Sequence, residues 1–303
     1  MKLSRIKQEN YVDWKTFYWT YQYILAEQYY LPRLKLWGVE IEKKKILDIG
    51  CGDGGFTSAF GKAGGFCTGV EIREFNWKPS DNVNYIVQDI YKDTSKEKIG
   101  DDYDLILLRD VIEHIPISQK KQFLRSIINF GTQKTNILIT FPPFYSPFGL
   151  HQQTLLKSSL SKLPYLSLLS DTFLLPLLNF FKEDKKAINN ILEIRESRMT
   201  IYAFNQLINE IGLTIAEEEY FLIRPSHEIR YGWKMKKFNK KPLKGLRELI
   251  TLGTCYLLTN SKNSSVAKIQ TVCTPLSSLH VSHDPFLKNP VLGLSQQVSS
   301  SFP

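Results

Sequence analysis

Cysteine is scarce in this 303-residue chain: Cys51, Cys67, Cys255 and Cys273 are the four present, and their spacing matches no metal-site pattern. That usage fits a reducing, cytoplasmic compartment. Long apolar runs are missing as well. The richest stretch, Leu163 to Phe181, is interrupted by Pro164, Asp171 and Pro176. Its longest unbroken piece falls far short of the roughly 20 residues a membrane span needs. Met1-Lys2-Leu3 leads into polar sequence rather than an apolar core, so no secretion signal is expected. There is no internal repeat, and no nucleic-acid-reading module accompanies the basic segments.

Acidic charge is also in deficit, with 30 Asp and Glu against 39 Lys and Arg, a net +9. The excess is concentrated between Arg224 and Arg247, where Arg230, Lys234, Lys236, Lys237, Lys240, Lys241 and Lys244 face only Glu228. Such a run reads as a solvated loop or helix face. The alternative is a phosphate-bearing partner, whether a lipid-linked sugar, a membrane surface or a nucleic acid. Residues 263–303 are Ser-, Pro- and Val-rich without periodicity, and disorder is expected there. Hydrophobic residues make up 43% of the chain, enough for one large α/β core.

Lys45 to Ile49 is an apolar run that stops at Gly50-Cys51-Gly52-Asp53-Gly54-Gly55, and a new segment begins at Phe56. This reads as a buried parallel strand feeding a tight turn that opens a helix, with glycines allowing a ligand close to the backbone. Gly50, Gly52 and Gly55 match the G-x-G-x-x-G spacing of a dinucleotide site. Asp48 at the strand end and Asp53 inside the turn oppose that reading, because two carboxylates repel a pyrophosphate. They attract instead a ligand carrying an ammonium and a sulfonium, as S-adenosylmethionine (SAM) does. Further strands follow: Phe66 to Ile72, ending at Glu71; Val83 to Ile90, ending at Asp89; Tyr103 to Asp110; and Asn136 to Phe141. Helical spacing over Thr57–Ala63 and Ser118–Asn129 places helices between them, which implies right-handed βαβ units and ligand binding at the strands' carboxyl ends.

The run Leu47-Asp48-Ile49-Gly50-Cys51-Gly52-Asp53-Gly54 resembles the first motif of the class I SAM-dependent methyltransferases, and the order of acids after it strengthens the likeness. The resemblance covers roughly residues 40 to 260. It implies a doubly wound, seven-stranded, mostly parallel Rossmann-like sheet, with the last strand antiparallel, supplied by Leu213–Ile223 and Thr254–Leu258. It also implies SAM as cofactor. The backbone from Asp48 through Gly50, Cys51, Gly52 and Gly54 would hold the methionine part, and Glu71 would accept from the ribose hydroxyls. Asp89 would accept from the adenine amine between Ile72 and Ile90, and the backbone of Arg109-Asp110-Val111 would meet the methionine end.

Two segments lie outside the minimal fold. Residues 1–40 are read as an aromatic helical cap, and Phe144 to Arg198 as a helical lid inserted in a domain of residues 41–262. A membrane-surface or dimer contact is the alternative for the lid. Methyl transfer to a hydroxyl needs a proton acceptor near the cofactor. His114 and His151 are the candidates, and a structural role is the alternative for each. The expected acceptor is a hydroxyl or carboxyl of a small molecule or glycan, with nucleic acid disfavoured. The stretch Pro142-Pro143-Phe144-Tyr145-Ser146-Pro147-Phe148-Gly149 adds a looser resemblance to methyltransferases of bacterial cell-surface polysaccharide pathways. Other readings stay open. Asp110, Glu113 and His114 have the spacing of a metal-holding cluster found in quinone-biosynthesis and RNA 2′-O-methylating types, although no metal is expected. A catalytically silent SAM-binding partner subunit is the non-enzymatic reading. Nothing in the sequence fixes the oligomeric state.

Overall fold

Strands and helices alternate along most of the chain. In the computed structural model, which describes residues 2–92, 95–238 and 244–260, α1 (Trp14–Leu25) and α2 (Leu31–Leu36) precede β1 (Lys45–Ile49). Then come α3 (Gly55–Lys62), β2 (Phe66–Glu71), β3 (Val83–Val87), α4 (Ser95–Ile99), β4 (Tyr103–Arg109), α5 (Ile117–Ile128) and β5 (Gly131–Phe141). The inserted segment holds α6 (Gln152–Leu155), α7 (Asp171–Phe180) and α8 (Lys185–Ser197). α9 (Ile201–Ile211), β6 (Leu213–Ile223), α10 (Pro225–Tyr231), β7 (Lys236–Lys237), α11 (Lys244–Ile250) and β8 (Gly253–Asn260) complete the described chain. The tail expected to be disordered, together with Cys273, Lys240 and Lys241, lies outside the described residues.

The sheet order is β3-β2-β1-β4-β5-β8-β6-β7. β1 to β5 pair in parallel, and β8 runs antiparallel between β5 and β6. The sheet has eight strands where seven were expected. The extra one is β7, two lysines paired to Phe221 and Ile223 at the sheet's edge. So short and charged a strand has no apolar periodicity to betray it, and its lysines blunt the edge against further pairing. β3 also ends at Val87, so Asp89 sits two residues beyond it in a turn.

Alternation along the strands sends side chains to two separate cores. Leu47, Ile106 and Ile139 pack with α5 and α9 on one face. Ile46, Leu105, Leu107 and Leu138 pack with α1, α2 and α3 on the other. By the same alternation Asp48 and Arg109 fall on the α1/α3 face. α1 is begun by Asp13, whose carboxylate accepts from Thr16 N at 2.7 Å. A π-helical stretch, Ala26–Tyr30, joins α1 to α2. It lies just before Pro32, whose ring has no N–H to donate and crowds the preceding turn. α1 lies so close to α3 that a Cβ on Gly55 would come within 2.2 Å of the Trp19 carbonyl oxygen.

The inserted segment has a core of its own, with Leu150, Leu166, Leu174, Leu178 and Ile191 at its centre. Arg195 on α8 pairs with Asp171 on α7 at 2.5 Å. No helix among the described residues is long and apolar enough to cross a membrane.

Candidate active site

The sheet order reverses between β1 and β4, which leaves a crevice at their carboxyl ends. The turn after β1 enters that crevice with Gly50, Gly52 and Gly54 at φ of +74°, +56° and +83°. Gly50 and Cys51 donate their N–H groups to Val70 O at 2.8 and 3.2 Å, which ties the turn to β2. A Cβ on Gly50 would lie 2.5 Å from Val111, and one on Gly54 2.4 Å from the Tyr85 hydroxyl. At Gly52 a Cβ would meet nothing within 4 Å. Gly50 and Gly54 are therefore glycine for packing as well as for backbone conformation, and Gly52 leaves the open face on which a ligand can lie.

The acids expected around this turn divide into two kinds. Asp48 is only 2% exposed, and its Oδ2 accepts from Thr57 Oγ1 at 2.6 Å at the start of α3. Burial raises its pKa to about 6. Its carboxylate thus faces the core beneath α3, which corrects the expectation that it lines the cleft. Glu71, half-buried at the end of β2, does line it: Oε2 accepts from Gly52 N at 3.2 Å and Oε1 from Ile72 N at 2.9 Å. Asp53 accepts weakly from Gly55 N, and burial raises its pKa to about 6 as well. Asp89 is half-buried and accepts from Tyr91 N at 3.0 Å. Ile72 is exposed beside Glu71, whereas Ile90 is buried in the α5/α9 core. The Cys51 thiol is buried, and desolvation pushes its pKa upward, so it stays protonated.

Two aromatic residues not anticipated from the sequence shape the turn. Trp77, in the β2–β3 connection, donates its indole N–H to Gly52 O at 2.8 Å and stacks on Tyr85 at 5.1 Å. The Tyr85 hydroxyl donates to Gly54 O at 2.9 Å. Only the glycine at position 69 on β2 lets the Tyr85 ring lie across the sheet, since a Cβ there would sit 2.7 Å from it.

On the opposite wall, Arg109 and Asp110 end β4. Asp110 adopts φ +55°, and Thr140 Oγ1 on β5 donates to its Oδ1 at 3.0 Å. Arg224, at the end of β6, donates to both oxygens of Asp110 at 2.8 and 2.6 Å. Arg224 and Arg109 together hold the Asp110 carboxyl down at about 2, against the opposing effect of burial. Arg109 packs over the Phe56 ring at 4.6 Å. Tyr18 and Tyr21 of α1 stand close enough to Arg109 to feel its charge, and burial raises the Tyr18 phenol to about 12. The basic run therefore does not begin as a solvated face: its first residue is half-buried and held in an ion pair. The crevice is polarised, with Glu71 and Asp53 on one wall and a net positive Arg109–Asp110–Arg224 group on the other, rather than negative throughout.

His114 and His151 are brought together with ring centroids 5.3 Å apart. His151 adopts φ +54°, and its Nε2 is buried without a hydrogen-bond partner. Desolvation, with the nearby His114 and Arg224 charges, lowers its pKa to about 4 although Asp110 acts the other way. The His114 pKa is also lowered, chiefly by desolvation. Glu113 is buried beside them with both carboxyl oxygens unpartnered. Desolvation and the neighbouring Asp110 push its pKa well up, so it is held protonated. Ser197 Oγ on α8 donates to Glu113 O, and Lys120 Nζ donates to Ile112 O at 2.6 Å, which pins this loop.

These donors do not fit a divalent metal. Asp110 is already engaged by a guanidinium, Glu113 favours its neutral form, and no group of three His, Cys, Asp or Glu is placed to hold one among the described residues.

Residues 21–158 match a family model described as a methyltransferase domain. A ubiquinone biosynthesis O-methyltransferase from Hydrogenovibrio crunogenus is 33% identical over 84 residues, which are 25% of this chain and 34% of that protein. The match thus spans about a third of that relative's length. A magnesium protoporphyrin IX methyltransferase from Synechocystis PCC 6803, crystallised with S-adenosylhomocysteine (SAH), is similar with a TM-score of 0.45 at 13% identity, over 79% of this chain and 85% of that one. A SAM-dependent methyltransferase from Archaeoglobus fulgidus has a TM-score of 0.45 at 14% identity, covering 82% of this chain and 100% of that one. Likeness at this level speaks to neither acceptor nor residue roles. Residues 21–158 carry a methyltransferase domain.

Proposed function

We propose that the chain transfers a methyl group from SAM to an oxygen, hydroxyl or carboxyl, of a small-molecule or glycan acceptor. The observation that carries this reading is the open space over Gly52, beside Glu71, in a crevice whose β4 end carries the Arg109–Asp110–Arg224 group. SAM is itself polarised, with a carboxylate, an ammonium, a sulfonium and a neutral nucleoside. Bound there, it supplies a methyl group already activated for in-line displacement, so the protein's part is alignment and exclusion of water.

The turn backbone from Gly50 to Gly54 is assigned to the methionine moiety. Arg109 adds a cation for its carboxylate. Glu71 has oxygen lone pairs left for the ribose hydroxyls, and Asp89 for the adenine amine, with Ile72 at the ring's edge. The cap of residues 1–40 and the lid of residues 144–198 are assigned to the acceptor side. A cytoplasmic location accords with the free, buried thiols of Cys51, Cys67 and Cys255.

His114 and His151 are both neutral at pH 7, and both are weaker bases than an ordinary histidine. A base near pKa 4 is poorly matched to an aliphatic hydroxyl. Together with the net positive wall, this favours an acceptor that arrives ionised, a carboxylate or an acidic phenol. The test is SAH formation over an acceptor panel, alongside calorimetry with SAM and SAH. Turnover confined to acidic acceptors supports the reading, and turnover confined to aliphatic alcohols refutes its acceptor half.

A further inference from the structure

We propose that the outer face of the lid docks on an anionic lipid bilayer. α7 presents Leu174 and Leu178 to the lid core, and on its opposite side Phe173 and Phe180 stand 72% and 79% exposed. These two residues are seven apart, so they share one face, with exposed Pro176 between them. The side chains of Leu163 and Leu168, in the chain leading to α7, are also 47% and 54% exposed. Phenylalanines exposed to this degree on one short helix cost solubility, and nothing else in the described chain covers them.

Charge decides between occupants. Lys162 adjoins Leu163, and Lys182, Lys185 and Lys186 lie within six residues after Phe180; all four are exposed and none forms an ion pair within 4.0 Å among the described residues, although Lys186 stands close enough to Asp184 to help lower its pKa. The acids nearby are already engaged. Asp171 pairs with Arg195, Asp184 with Lys157 at 3.0 Å, and Glu183 accepts from the N–H groups of Lys157 and Ser158. The exposed apolar face is therefore flanked in sequence by exposed lysines on both sides, a pairing that suits a surface with an apolar interior beneath negative headgroups. A second copy of the chain would have to bring the same lysines together.

The experiment is co-sedimentation of the full chain with phosphatidylglycerol/phosphatidylcholine vesicles and with phosphatidylcholine vesicles alone. The expected result is strong binding to the anionic vesicles only, weakened as salt is raised. Two variants should each lower the bound fraction about tenfold, F173S/F180S by removing the insertion and K182E/K185E/K186E by reversing the attraction. SAH affinity, measured on the same samples, should stay at the wild-type value, which keeps this test separate from that of the methyl-transfer reading. Absence of binding to anionic vesicles, or binding unchanged by both variants, overturns the proposal. So does a wild-type dimer in sedimentation velocity that F173S/F180S converts to monomer, since the face then belongs to a second copy.

Discussion

The crevice between β1 and β4 and the lid after β5 are built on different principles. In the crevice nearly every functional group is fixed by a neighbour on another element: Gly52 by Glu71 and Trp77, Asp110 by Thr140 and Arg224, Asp48 by Thr57. The lid has its own small core and meets the rest of the molecule through few anchors, such as Phe144 N to Met199 O and Ser197 to Glu113. The crevice is thus suited to a ligand of fixed geometry, and the lid is the part proposed to meet the acceptor. Each half should fail separately when damaged.

The largest effect is expected at Asp110. D110A leaves Arg224 and Arg109 without their counter-charge, and unfolding free energy should fall by about 3 kcal/mol in denaturant titration, with SAH binding lost. The pH dependence has a definite sign. Asp110 is held at about 2 against an ordinary 3.8, so its contribution is full above 3.8 and fades as pH falls towards 2. In D110N that acid limb should flatten. Next in size is T57V, which takes the hydroxyl donor from a buried carboxylate and should cost about 2 kcal/mol while raising the Asp48 pKa further.

E71Q should weaken SAH binding about tenfold in calorimetry with only a small fall in the thermal midpoint, since its amide nitrogen replaces one of the two oxygens that accept from Gly52 N and Ile72 N. The lid should show the reverse. L178A opens a cavity in the lid core, so acceptor turnover should fall severalfold while SAH affinity moves less than about twofold. A subtler effect separates the histidine readings. With His151 at about 4, turnover should hold as pH is lowered from 8 to 6. A half-maximal loss near 6.5 would mean an ordinary histidine base.

Much of the crevice was legible in the sequence because it is local. A strand, a glycine turn and a helix start are contiguous, and acids at strand ends recur at the pitch of βαβ units. What could not be read there depends on pairing across the sheet. Asp48 looks like a cleft acid, yet strand alternation turns it under α3, where Thr57 nine residues later receives it. Arg224 looks like the head of a charged run, yet the position of β6 beside β8, one strand away from β5, brings it 114 residues back to Asp110. Trp77 and Tyr85 carry no motif, and only the glycine at position 69 hinted that a large ring crosses β2. β7 was invisible because two lysines have no period.

The polarised crevice is tested most directly by competition calorimetry on the wild-type chain, titrating SAH and, separately, NADH. Saturable one-to-one uptake of SAH that E71Q weakens, with no heat from NADH, is the outcome this geometry predicts. Tight NADH binding that SAH fails to displace would contradict it.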